Sequence, residues 1–243
     1  MTRLSRRSVL RAGGSLAVAT TIAGCTGSSD SGSTNGGIPG VEDGEVVDSH
    51  AFATAHSGQL AARSGTLEWA RVSLDPETGG PETHSVWTVR VEGDRLHAIV
   101  TGRAVFSGTG QDRQEFYYGE EGAFYRGRTD GEWETGPLDR QGIPRGEFTG
   151  RSDLEVVSLR KEGTETIDGE ELYRFSNVQR STEDEQSEWV NIQAFVDEDA
   201  LVHAFQQTVD SESANSRRFD EWHVTALDAT TVERPEWVDK VDV

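Results

Sequence analysis

The hydrophobic period of the chain changes at Gly65, and this change is the strongest constraint on the fold. Apolar residues recur at three- and four-residue spacing over 46–63, which predicts one helix. After Gly65 the period changes to two, over 66–126 and again over 171–227; over 84–92, for example, Trp87, Val89 and Val91 alternate with polar residues. Gly93-Asp94 then predicts a tight hairpin. The pattern indicates one helix followed by a series of antiparallel strands.

Short strands joined by turns predict an α+β fold. We expect a strongly curved antiparallel sheet, a half-barrel or open barrel, of about eight or nine strands around the N-terminal helix. Residues 45–243 are predicted to form this single domain. The segment 128–152 is rich in Gly, Pro and Arg and is predicted to be a long connection, and the sequence leaves open whether it is a functional loop. A short helix is predicted over 152–161.

Residues 1–24 have the pattern of a signal peptide. They contain four arginines and no acidic residue, and an apolar run of small residues spans 12–23. This run is shorter than the ~20 residues that a membrane-spanning helix needs. The adjacent Arg6 and Arg7 indicate export by a twin-arginine route.

Cys25 is the only cysteine and directly follows this leader. The sequence Ile22-Ala23-Gly24-Cys25 resembles a lipobox, which implies cleavage after Gly24 and lipid on the Cys25 thiol. We expect two acyl chains, since one chain binds a membrane only marginally. The alternative is a free thiol in an ordinary secretory leader. The prediction is an extracytoplasmic protein held at the cell membrane by its N-terminal lipid, without disulfides, on a flexible Ser/Gly-rich tether over 25–44.

The charge balance is strongly acidic, with 43 acidic and 23 basic residues. Without the four leader arginines, 43 acidic and 19 basic residues remain, a formal charge of −24. Lys161 and Lys240 are the only lysines. Such acidic, lysine-poor domains resemble those of extreme halophiles, which implies a haloarchaeal source, and molar salt would screen their self-repulsion. An acidic chain without a basic stripe also argues against a nucleic-acid partner.

Motifs that would indicate chemistry are absent from the sequence. It contains no P-loop, C-x-x-C or G-x-S-x-G motif. His50 and His56 lie six residues apart on the predicted helix, which is not the spacing of a zinc-binding pair, and the other four histidines fall on separate predicted strands. The acidic triplets at 183–185 and 197–199 lack the pattern of a calcium-binding EF-hand loop. We therefore predict a protein that is not an enzyme, with no catalytic residue, no metal and no cofactor. A catalytic triad of residues far apart in sequence stays open.

Aromatic residues on the predicted strands are the candidate binding residues. They would either pack as an ordinary core or line a cavity for a lipid-like ligand, since ligand cavities are mostly apolar. The candidate cavity-lining residues are Trp69, Trp87, Phe116, Tyr125, Phe175, Phe195, Phe205 and Trp222.

The lipobox leader, the tether, a helix with His56 and Leu60, and Gly65-Thr66-Leu67 at the start of the strands together resemble haloarchaeal lipoproteins of unknown function. That group is similar in architecture to the LolA/LppX-like lipoprotein carriers. Three further segments fit the same resemblance: Phe124-Tyr125-Arg126, Asp130-Gly131-Glu132-Trp133 and Pro235-Glu236-Trp237.

The resemblance implies a half-barrel that shields a hydrophobic cavity for acyl chains. It therefore implies a membrane-anchored protein that binds or carries a lipid-like ligand. The alternative is a structural or interaction module of the archaeal cell envelope, with a packed core and no ligand. The ligand, the protein partners and the oligomeric state are left open by the sequence.

Overall fold

The computed structural model describes residues 37–241, apart from 76, 103–109, 139–142, 156, 168, 182–187 and 212–215. The predicted signal peptide, Cys25 and the first part of the predicted tether lie outside the described residues. Ile38, which belongs to the predicted tether, is buried in the core.

Helix α1 spans Ser49–Arg63. Asp48 caps its first turn, because the Oδ1 atom accepts a hydrogen bond from the backbone N–H of Ala51 at 2.9 Å. The helix ends at Arg63, and the next residue, Ser64, has a φ of 54° directly before Gly65. The predicted helix is confirmed, but it starts three residues later than the apolar pattern suggested.

Thirteen strands are found in the described residues. They are β1 Val41–Glu42, β2 Glu45–Val46, β3 Gly65–Leu74, β4 Pro81–Glu92, β5 Arg95–Gly102, β6 Arg113–Gly119, β7 Gly122–Thr129, β8 Glu132–Pro137, β9 Arg160–Ile167, β10 Glu170–Ser181, β11 Glu188–Val196, β12 Val202–Ser211 and β13 Ser216–Thr225. They form one sheet in the order β1-β2-β9-β10-β11-β12-β13-β3-β4-β5-β6-β7-β8, and every neighbouring pair is antiparallel.

The predicted antiparallel, unclosed sheet with few helices is confirmed, but the predicted count of eight or nine strands is wrong. Four strands were not predicted from the sequence: β1 and β2, which precede α1, β8, which lies within the predicted connection over 128–152, and β9, which follows it. Most residues of β8 and β9 are exposed on both faces. A strand that buries neither face carries no alternating apolar pattern, so its sequence resembles a loop.

The predicted placement of the helix inside the curved sheet also differs from the structure. Two further helices are α2 at Arg145–Phe148 and α3 at Arg151–Glu155. Helix α1 packs against α3, which also contacts α2, and α1 contacts β4 as well. The short helix predicted over 152–161 corresponds in part to α3, and its last residues belong to β9. Within the described part of the chain, no helix is long and apolar enough to span a bilayer.

Both faces of the sheet carry apolar clusters. The inner face, which carries Leu67, Trp69 and Trp87, packs against the helices and forms the larger cluster. On the outer face, the C-terminal segment packs Val232, Trp237 and Val238 against side chains of β6 and β7. The candidate site lies between the inner face and the helices.

Candidate ligand-binding site

Cross-strand pairing aligns aromatic side chains along the inner face of the sheet. Phe175 pairs with Ala194, which pairs with Phe205. Phe205 pairs with Trp222, Trp222 with Trp69, and Trp69 with Trp87. Directly paired residues project from the same face. We call these five aromatic residues, Phe175, Phe205, Trp222, Trp69 and Trp87, the aromatic row.

Four of the five rings in the aromatic row form a continuous series of contacts, from Phe205 to Trp87. The rings of Phe205 and Trp222 are stacked with centroids 5.4 Å apart. The Trp222–Trp69 and Trp69–Trp87 centroids lie 6.4 and 4.6 Å apart. These separations are typical of attractive aromatic pairs. All five residues are at most 3% exposed, so the row is a packed part of the core.

Helices α2 and α3, which together span Arg145–Glu155, cover one end of this row and are named the helical cover. Phe148, the last residue of α2, is fully buried. Its ring centroid lies 4.9 Å from that of Phe116, 6.1 Å from that of Trp87 and 5.9 Å from that of Tyr118. One side chain of a four-residue helix therefore fills a pocket with aromatic walls.

His56 of α1 connects the helical cover to the sheet. Its Nε2 atom lies 2.9 Å from the carbonyl oxygen of Thr149, and its Nδ1 atom accepts a hydrogen bond from the backbone N–H of Val202 at 3.1 Å. Because Nδ1 accepts, the proton of the neutral ring is on Nε2, which donates to Thr149. Complete burial lowers the pKa of His56 to about 4, so the imidazole is neutral near pH 7.

Asp153 of α3 provides a second connection. The indole N–H of Trp222 donates a hydrogen bond to its Oδ2 atom at 3.3 Å. Burial raises the pKa of Asp153 to about 6, and the negative charge of Asp220 acts in the same direction. The backbone also approaches the row closely here, because a Cβ atom on Gly150 would lie 2.6 Å from the Trp222 ring.

Charged side chains lie next to the aromatic row in the adjacent position of the sheet. Asp220 is almost fully buried and forms an ion pair with Arg71, the residue opposite it on β3. Arg218 approaches the second oxygen of Asp220 at 2.8 Å. The guanidinium carbon of Arg71 lies 5.8 Å from the ring centroid of Trp69 and 5.6 Å from that of Trp87, which is the geometry of a cation–π contact. The aromatic row is therefore bordered along one side by polar, partly exposed side chains.

The structure brings most of the predicted cavity-lining residues together. Six of them lie in the inner core cluster, and Tyr125 is partly buried against it. Phe195 is not part of this group, since it pairs with Arg174 and Ala204 and projects from the opposite face to Phe205. The six residues in the inner core are Trp69, Trp87, Phe116, Phe175, Phe205 and Trp222.

Phe148 and His56 were not predicted from the sequence to be residues of this site. Phe148 lies between Gly146 and Gly150, in the segment predicted to be a connection, so no period marked it as buried. His56 lies on the apolar face of the predicted helix, and that position was the one available signal.

Two surface depressions lie away from the aromatic row. The larger, of ≈ 410 Å³, is bordered by Arg90, His97 and residues 231–236, and the smaller, of ≈ 340 Å³, by polar residues of β9 and β10 together with Glu45, Ser158 and Leu159. Neither is bordered by a residue of the aromatic row, which is consistent with the row being closed by the helical cover.

No family model matches the chain, and no curated protein matches it. Among solved structures, it is similar to a DUF1329 family protein from Desulfovibrio piger, with 10% identity, coverage of 78% of this chain and 94% of that chain, and a TM-score of 0.31. It is also similar to a domain assigned to outer membrane lipoprotein sorting, from Vibrio parahaemolyticus, with 10% identity, coverage of 77% and 94%, and a TM-score of 0.30. Because both scores are low, we base no argument on these similarities.

Proposed function

We propose that this protein is a lipid-anchored, extracytoplasmic and non-enzymatic carrier that binds a hydrophobic, acyl-type ligand between the aromatic row and the helical cover. The observation that carries the proposal is the insertion of Phe148 among Trp87, Phe116 and Tyr118. Phe148 occupies the place that an acyl chain would take. Binding then requires that the helical cover moves away from the sheet.

The size of the helical cover supports this proposal. Helices of four and five residues are not stable alone, so tertiary contacts hold α2 and α3 in place. Removing a buried Phe side chain costs about 3–5 kcal/mol. A buried methylene contributes about 0.8 kcal/mol, so an acyl chain that buries about six methylenes offsets the displacement of Phe148. Replacement of the Phe148 side chain by a long acyl chain is therefore close to neutral in free energy, whereas replacement by a short acyl chain is unfavourable.

The size of the sheet supports the same proposal. Open sheets of more than about ten strands usually curl or split, so thirteen strands favour a strongly curved sheet. A curved sheet of this kind encloses its inner face on more than one side. The polar boundary formed by Arg71 and Asp220 would then face the headgroup of a bound lipid.

A packed structural or interaction module without a ligand is the second candidate function. It is favoured by the direct ring contacts along the aromatic row, which leave the inner face filled. The two candidates differ in one respect, which is whether the space occupied by Phe148 accepts another apolar group.

Binding of a fluorescent long-chain fatty acid to Phe148→Ala distinguishes the two. We expect this variant to bind at least about tenfold more tightly than the parent chain, because no side chain has to be displaced. Phe219→Ala is the matched control, since Phe219 is 39% exposed on the outer face. Equal affinity of the parent protein, Phe148→Ala and Phe219→Ala for the fatty acid would refute the carrier function. If Phe148→Ala does not fold, Phe148→Leu takes its place.

The anchor is tested separately, because Cys25 lies outside the described residues. Cys25→Ser removes the thiol that would take up the lipid. We expect the variant to appear in the soluble fraction of lysed cells, whereas the parent chain stays with the membranes. A membrane-bound Cys25→Ser chain would show that lipid on Cys25 is not the attachment.

A further inference from the structure

A histidine and two carboxylates converge at one end of the sheet, away from the aromatic row. They are Glu170 at the start of β10, Asp197 directly after β11, and His203 in β12. One potential ligand atom of each residue lies within 4.8 Å of those of the other two. His203 Nε2 is 3.0 Å from Asp197 Oδ2 and 3.8 Å from Glu170 Oε1.

These separations fit a single metal ion. Zn²⁺ binds nitrogen and oxygen at about 2.0–2.2 Å in a tetrahedron, which places neighbouring donor atoms about 3.3 Å apart. The observed distances of 3.0 and 3.8 Å lie on either side of this value, so small side-chain rotations bring the donors into position. Glu170 is half exposed, which leaves the fourth position accessible to water.

Asp197 is held in place by its surroundings. Its side chain is only 7% exposed. Its Oδ1 atom accepts hydrogen bonds from the backbone N–H groups of Asp199 at 3.0 Å and Leu201 at 2.8 Å. Oδ2 is thereby turned towards His203. Such outer hydrogen bonds orient metal-binding carboxylates in known sites.

The local charge is compatible with a divalent cation. Two carboxylates and a neutral imidazole balance a charge of +2. Arg63 Nη1 lies 3.6 Å from Asp197 Oδ2, and the positive charge of its guanidinium would repel a metal ion bound there. Its guanidinium is, however, also paired with Asp228 at 3.0 Å, which offsets its charge. One imidazole in the donor set favours Zn²⁺-type ions over Ca²⁺ and Mg²⁺, which prefer oxygen ligands alone.

We propose that Glu170, Asp197 and His203 form a binding site for one first-row divalent metal ion of the Zn²⁺ type. The ion connects the turn that precedes β10 with the turn between β11 and β12. The second turn leads directly into Val202 of β12, whose backbone N–H donates a hydrogen bond to His56 of α1. Metal binding therefore stabilises the folded state at this end of the sheet.

The test is calorimetric titration of the untagged full chain with Zn²⁺. The chain carries Cys25→Ser so that the thiol does not bind the metal. We expect one Zn²⁺ per chain and a rise in Tm of about 5–10 °C at a hundredfold excess of metal over its Kd. Ca²⁺ and Mg²⁺ should produce no such rise, and a Ca²⁺ affinity equal to that of Zn²⁺ would overturn the assignment.

Three variants locate the site. Glu170→Gln, at a half-exposed position, should weaken Zn²⁺ binding by at least about tenfold, and His203→Gln should weaken it further. His223→Gln is the matched control, because His223 lies 3.4 Å from Glu68 in a histidine–carboxylate pair elsewhere. Unchanged binding in His203→Gln, or an equal loss in His223→Gln, would overturn the proposal, as would a parent chain that binds no Zn²⁺.

Discussion

His56 and Asp153 both attach the helical cover to the core, yet burial shifts their proton affinities in opposite directions. The pKa of His56 falls from 6.5 to about 4, so the unfolded chain binds the extra proton over this range. The contribution of His56 to the free energy of unfolding is fully present above pH 6.5 and is lost as the pH falls towards 4. The pKa of Asp153 rises from 3.8 to about 6. The contribution of Asp153 to the free energy of unfolding is fully present below pH 3.8 and is lost as the pH rises through 6.

The two contributions oppose each other over nearly the same pH range. Each corresponds to about 3 kcal/mol, since one pKa unit is worth about 1.4 kcal/mol. Asp153→Asn keeps an acceptor for the indole of Trp222 but does not titrate. We expect the free energy of unfolding of this variant to rise by about 3 kcal/mol between pH 4 and 6.5, with a much flatter profile in the parent chain. Urea unfolding across this range measures both profiles.

Glu221→Gln is the control for this experiment, because Glu221 is exposed on the outer face. Its profile should follow that of the parent chain. If Asp153→Asn and the parent chain had parallel profiles between pH 4 and 6.5, Asp153 would not be the group that offsets His56.

At the scale of elements, alanine substitutions of two glycines test the packing of the helical cover and of α1. Gly150 has a φ of 72°, and a Cβ atom there would lie 2.6 Å from the Trp222 ring. Gly58 lies in α1, and a Cβ atom there would meet nothing within 4 Å. We expect Gly150→Ala to destabilise the protein by about 1–3 kcal/mol and Gly58→Ala to stabilise it by about 0.5–1 kcal/mol. Urea unfolding at constant pH compares the two.

The opposite signs make this pair of substitutions informative. Both introduce the same methyl group, so a general effect of alanine would move both variants in one direction. A neutral Gly150→Ala would mean that the helical cover does not pack against Trp222 in solution.

The sequence predicts those elements that bury one face and end at a glycine. The hairpin of β4 and β5 is an example, since Trp87, Val89 and Val91 alternate up to Gly93. Strands β8 and β9 bury little of either face and therefore gave no signal. The aromatic row could be predicted only in part, because periodicity gives the face of each strand but not the register that aligns Trp69 with both Trp87 and Trp222.

Contacts between side chains of different elements could not be predicted from the sequence. Phe148 reaches the aromatic row from a segment with no hydrophobic period. Glu170 lies in β10, Asp197 in the turn after β11 and His203 in β12, with no diagnostic spacing. The sequence therefore predicted no metal site, and the pairing of strands is what brings these donors together.

At the scale of the whole molecule, the acidic surface determines the response to salt. The chain without the leader carries a formal charge of −24, and nearly all of its basic residues are arginine. Self-repulsion is long-range at low ionic strength and is screened within about 3 Å in molar salt. We expect the thermal midpoint to rise steeply as KCl is increased from 0.1 to 3 M. A midpoint that does not depend on salt would contradict the proposed halophilic source.

The carrier function is tested most directly by quenching of tryptophan fluorescence with a long-chain fatty acid that is brominated along its chain. Trp69, Trp87 and Trp222 lie in the aromatic row, so a chain bound beneath the helical cover would be in contact with them. In the Cys25→Ser chain, we expect saturable quenching at one site, which an unbrominated fatty acid of equal length reverses by competition. Absence of saturable quenching would contradict the carrier function and leave the packed module as the function of this fold.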